Sequence, residues 1–124
     1  MKIFRFWKPV LWLICIMTLS LIPGNRLPGI IVFAHFDKVV HAMMYLGLAV
    51  LLIRPLMRFP VRFPYLITFI LCVLLGALLE VLQARLDVSR SGSLIDGLAN
   101  LAGALMGIFG FHTLLKGTRF EKWF

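Results

Sequence analysis

Three short series of polar residues interrupt a largely apolar chain, and their spacing is what would let them act together. Asp37, His41 and Tyr45 follow at i, i+4 and i+8; Glu80, Gln83 and Asp87 at i, i+3 and i+7; Asp96 and Asn100 at i and i+4. On helices each series forms one stripe. An imidazole among carboxylates can take up and release a proton near neutral pH, so His41 is the candidate general acid or base. Glu80 and Asp96 would then tune it or share its proton. The same three groups, with Asp37, Tyr45, Gln83 and Asn100, can instead hold a ligand by hydrogen bonds alone. Arg85 and Arg90 follow closely in sequence. A guanidinium matches phosphate or carboxylate bidentately, so this pair either binds an anionic head group or pairs with Glu80 and Asp87. No HExxH-like or Cys/His spacing accompanies the carboxylates and His41, so neither a metal nor another cofactor is expected. No nucleophile elbow or phosphate-cradling glycine loop is present either.

Composition indicates what must position these residues. Of 124 residues, 61% are hydrophobic and 15% charged, whereas a soluble domain is about half apolar and about a quarter charged. Lipid is the solvent such a chain suits. A spanning helix needs about 20 mostly apolar residues, and four stretches qualify: 6–22, 36–53, 63–83 and 94–115. The first ends at the turn signal Pro23-Gly24-Asn25, the second at Arg54-Pro55. Basic residues before an apolar run resemble a secretory signal, but no small-x-small cleavage site follows at the right distance, so the first segment is read as a retained helix. The apolar stretch 27–33 is too short to span and is read as an interfacial or re-entrant piece. The expected architecture is all-α: a single domain over 1–124, folded as a four-helix transmembrane bundle.

Counting cations by loop orients it. Lys2, Arg5 and Lys8 precede the first helix, Arg54, Arg58 and Arg62 follow the second, and Lys116, Arg119 and Lys122 lie in the tail. Against these nine, the other two loops hold Arg26, Lys38, Arg85 and Arg90. Both termini and the middle loop are therefore placed in the cytoplasm. This bias also accounts for the net charge of +8, which then needs no nucleic-acid partner. Trp7 and Trp12 mark the inner end of the first helix, while Phe120, Trp123 and Phe124 give the tail an interfacial character. Counted from the outer helix ends at about 1.5 Å per residue, His41 and Glu80 lie roughly 7 Å deep, Asp96 roughly 3 Å and Asn100 roughly 9 Å. Hydrocarbon offers no hydrogen bonds, so three polar stripes at one level should turn toward each other. Gly76, Gly103 and Gly107 would let the helices approach closely, within one chain or at a dimer seam. Ser93, with Asp96 three residues on, has the spacing of a helix cap.

The order Asp37-Lys38-Val39-Val40-His41 with Tyr45, then Glu80-x2-Gln83, Arg90, and Asp96-x3-Asn100-x2-Gly103 resembles the VanZ-like family of small bacterial membrane proteins, over roughly residues 36 to 107. The resemblance implies a helical protein of the bacterial cytoplasmic (inner) membrane; the family takes its name from a protein associated with glycopeptide (teicoplanin) resistance. Three functions follow as expectations. The first is a module that binds or modifies a cell-envelope component, with membrane lipids, an anionic envelope lipid or a partner membrane protein as its partner. The second is an enzyme acting on an anionic lipid head group at the outer leaflet. The third is a small oligomeric transporter, although the acids gather on one side instead of lining a path across the bilayer.

Overall fold

The computed structural model of the chain describes residues 2–22, 36–86 and 94–124. Apart from short turns they are helical, with no strand among the described residues, and four helices are long and apolar enough to cross a membrane. After a 3-10 turn at Lys2–Phe6, α1 runs Trp7–Leu21, α2 Phe36–Met57, α3 Pro64–Arg85 and α4 Leu94–Gly110. The interfacial segment expected at 27–33 and the Ser93 cap lie outside the described residues.

α1 and α3 shift by one or two residues from the sequence reading of 6–22 and 63–83, and two further features are not contained in it. α2 does not stop at Arg54-Pro55 but continues to Met57. A proline inside a helix loses one backbone bond and crowds the preceding turn. Here the loss falls in the last turn, and Ile53, Pro55 and Leu56 are all buried, so packing outweighs one missing bond. The fourth helical rod does reach Leu115, but its last turn, Phe111–Leu115, widens to π geometry, closed by Lys116 N–H donating to the Phe111 carbonyl at 2.8 Å. The wide turn seats Phe111, fully buried, against Val50 and Ile53. Gly117, at φ +80°, then reverses the chain in a left-handed conformation that a side chain would strain, and a 3-10 turn over Arg119–Trp123 brings the tail back. There Lys8 donates to the Trp123 carbonyl.

α2 is the central rod. Met44, Tyr45, Leu48 and Ala49 share one core cluster with Ile16 of α1, Cys72 and Leu79 of α3 and Ala104 of α4. Trp12 of α1 donates its indole N–H to the Met44 carbonyl at 2.8 Å. On the outside, Leu66, Ile70, Leu74 and Leu78 recur every fourth residue along α3, all exposed, and Leu98, Leu105, Met106 and Phe109 are exposed along α4. An apolar belt of this extent suits acyl chains, not water.

The closest approach is between α2 and α4. A Cβ on Gly103 would run into the Ala42 carbonyl oxygen, and one on Gly107 would lie 2.5 Å from the Leu46 carbonyl oxygen. The small-residue stripe is thus occupied within the chain, and backbone packs on backbone as small-x3-small stripes allow. Gly103→Ala should destabilise by about 1–3 kcal/mol, the usual cost of overpacking. Gly110, with open space around its Cβ position and αR dihedrals, should accept alanine with no loss, because alanine is the better helix former. Thermal unfolding of the two variants in detergent micelles distinguishes them; equal melting temperatures would refute the close approach.

Candidate functional site

The antiparallel order of the rods carries Ser20 of α1, the start of α2, the end of α3 and the start of α4 to one end of the bundle. There His41, Tyr45, Glu80, Gln83, Asp96 and Asn100 line one small cavity together with Ser20. Its volume of about 10 Å³ is near the minimum that holds a single water. The three polar stripes, separate in sequence, do converge.

Each is tied differently. His41 Nδ1 lies 3.2 Å from Asn100 Oδ1, a bond between α2 and α4 in which the imidazole nitrogen donates to the amide oxygen. Lys38 lies 2.7 Å from Asp37 and 2.5 Å from Asp96, so its ammonium joins the first turns of the same two helices. Gln83 donates its amide to the Ser20 carbonyl at 2.7 Å, linking α3 to α1. Tyr45 is fully buried, yet its hydroxyl has no hydrogen-bond partner among the described residues, and neither does the buried Oε1 of Glu80. That oxygen faces the backbone of α4, since a Cβ on Gly97 would sit 2.9 Å from it.

Glu80 also belongs to a second space. A groove of about 270 Å³ runs down the seam of α3 and α4 from Leu94 and Gly97 toward Cys72 and Ala104. Its walls are apolar except where Glu80 and Asn100 close the end, and these two residues, with Gly76, line the small cavity as well. The carboxylate therefore stands where a polar chamber meets an apolar trough.

One expected participant lies elsewhere. Arg85 is exposed, lines neither space and forms no ion pair among the described residues. It is five positions beyond Glu80, roughly 140° around a helix of 3.6 residues per turn, which turns it away. Arg90 and Asp87 lie outside the described residues. Among the described residues no group of three or more His, Cys, Asp or Glu side chains is placed to hold a metal. Conversely, Lys38 is counted in the sequence only as a loop charge, although it is the cation that joins α2 to α4. Its signal was available: one residue after Asp37 at the helix start, it can reach across while its neighbour pairs with it.

The side chains of Lys38 and Asp96 are 23% and 15% exposed, between the surface case, worth up to about 1 kcal/mol, and the buried case, in which removing one partner costs about 3–5 kcal/mol. Lys38→Met should therefore cost about 2 kcal/mol, and Asp96→Leu in the same background should restore part of it by removing the stranded charge. Additive losses in unfolding free energy would show that the pair is not coupled. Compared with known proteins, the chain matches no family model, no curated protein and no solved structure.

Proposed function

We propose that this is an integral membrane protein of the VanZ-like kind that its motif order resembles, with both termini cytoplasmic, and that it binds a lipid component of the bacterial cell envelope at the outer end of the bundle. One observation carries the reading: the buried Oε1 of Glu80, without a hydrogen-bond partner among the described residues, at the polar end of an apolar groove. A buried acceptor without a donor costs about 1–3 kcal/mol, and more when charged. A ligand that brings a donor recovers that loss, and one that also brings an alkyl chain fills the trough. The occupant with both is an amphiphile whose head presents a hydroxyl or ammonium group to Glu80 and whose chain lies between α3 and α4.

The charge at this end agrees. Among the described residues Lys38 pairs with Asp37 and Asp96, and no Lys or Arg lines the cavity that Glu80 borders, so a donor-rich head fits better than a bare anion. Binding is favoured over catalysis because the His41 nitrogen facing the cluster is engaged by Asn100, which orients the ring but uses one of its two nitrogens. Transport is disfavoured because, among the described residues, the only other acid is Glu121 near the opposite end, leaving no carboxylate path between.

Native mass spectrometry of the protein released from detergent micelles should detect one retained lipid per chain. Glu80→Gln and Tyr45→Phe should keep the helical content and lower retention about tenfold, the equivalent of one charge-assisted hydrogen bond. Leu98→Trp, which fills the groove, should abolish it. Glycopeptide susceptibility of a bacterial host expressing the same variants gives the cellular readout. Wild-type protein that retains no lipid, or Leu98→Trp that retains as much as wild type, would sink the reading.

A further inference from the structure

At the opposite end of the bundle from the groove, five cations converge. Arg5 and Lys8 at the start of the chain, Arg54 and Arg58 around the end of α2 and Lys122 of the tail line a single pocket of about 270 Å³ with Trp7, Pro55 and Phe124. Three separate pieces of chain are needed to build it, and specific contacts hold them: Phe6 packs edge-on against Phe59 at 5.5 Å, and Lys8 donates to the Trp123 carbonyl. None of the five forms an ion pair with a carboxylate among the described residues. The nearby acid, Glu121, accepts a hydrogen bond from Gly117 N–H at 2.7 Å.

An orientation signal requires only that charge flank the helices. Arg62, Lys116 and Arg119, exposed and outside the pocket, meet that need. The pocket goes further, because the Nε of Arg54 is buried without a hydrogen-bond partner among the described residues, while Arg58 and Arg5 act on the same guanidinium as like charges and Glu121 alone opposes them. An anion from outside the chain that supplies acceptors to this donor would relieve both its desolvation and the repulsion between the cations. Three guanidiniums and two ammoniums suit a tetrahedral, multiply charged oxyanion better than a single carboxylate.

We propose that this pocket binds a phosphate group. The indole of Trp7 on its wall places it at the depth of a lipid head group, so an anionic phospholipid is the source the geometry favours, as in basic pockets between transmembrane helices generally. The assignment is independent of the groove lipid, since the two sites share no residue.

The full chain in dodecyl maltoside micelles, titrated with dihexanoyl phosphatidylglycerol, dihexanoyl phosphatidylcholine and inorganic phosphate, tests it through tryptophan fluorescence. Phosphatidylglycerol should bind at least about tenfold more tightly than phosphatidylcholine, and Arg58→Gln and Arg5→Gln, both at exposed positions, should each weaken it about tenfold or more. Arg54→Gln should do the same where it folds, and Arg62→Gln should titrate as wild type. Inorganic phosphate binding as tightly as phosphatidylglycerol would keep the phosphate assignment with a soluble source. The proposal is overturned if neither phosphatidylglycerol nor phosphate is preferred to phosphatidylcholine, if Arg58→Gln and Arg5→Gln bind like wild type, or if a polyglutamate peptide binds where phosphate does not.

Discussion

An apolar exterior cannot compensate a polar group that turns toward it, and this constraint organises the molecule. With Leu, Ile and Phe side chains covering the outside of α3 and α4, every carboxylate, amide and imidazole of the helices has to find its partner between them. The answer here is close contact of two backbones. Because Gly103 and Gly107 bring α4 against the carbonyls of α2, short side chains can bridge: His41 reaches Asn100, and Lys38 reaches Asp96. Bulkier residues at either glycine would push the rods apart and strand both bridges at once. Packing and polar satisfaction are therefore one arrangement, and neither survives the loss of the other.

The two ends of the bundle are electrostatic opposites. Among the described residues, one end holds Glu80 and Asp96 on a common cavity, with Lys38 paired to Asp96 and Asp37; the other gathers five cations in one pocket, with Glu121 acting on Arg54. At the first end Glu80 Oε1 and the Tyr45 hydroxyl, and at the second Arg54 Nε, are buried without a hydrogen-bond partner among the described residues.

Much of this was legible in the residues because the governing rules are local. Four apolar stretches gave four rods, and stripes at i, i+4 put His41, Asn100 and Asp96 on facing sides, since helical periodicity depends on spacing alone. What escaped was non-local. Arg54-Pro55 looks like a stop, and only the burial of Ile53, Pro55 and Leu56 against other helices explains why α2 continues past it. The π turn at Phe111 answers to the position of Val50 and Ile53, not to its own sequence. Arg85 seemed a natural member of the cluster by proximity in sequence, yet five residues of helix turn it away. Lys38 was visible only as a charge because its second partner, Asp96, lies 58 positions further along the chain. The basic pocket was hidden for the same reason: its cations come from three pieces of chain that a loop-by-loop count keeps apart.

The polar cluster can be weighed as register device or binding site by asking which of its atoms are satisfied. A device that only fixes register gains nothing from an orphaned atom, because each unmet group subtracts from the stability that the pairing provides. The α2–α4 bridges and the Gln83–Ser20 link meet that description, and they suffice to set the order and height of all four rods. Tyr45 and Glu80 do not. Their free oxygens add no registry that Lys38, His41 and Gln83 have not already supplied. Tyr45 faces a chamber with room for about one water, which could satisfy a hydroxyl, but Glu80 also borders the open groove and keeps its oxygen buried beside Gly97. The cluster thus divides into a satisfied half that holds the helices and an unsatisfied half that faces the groove, and it is the second half that packing alone does not explain.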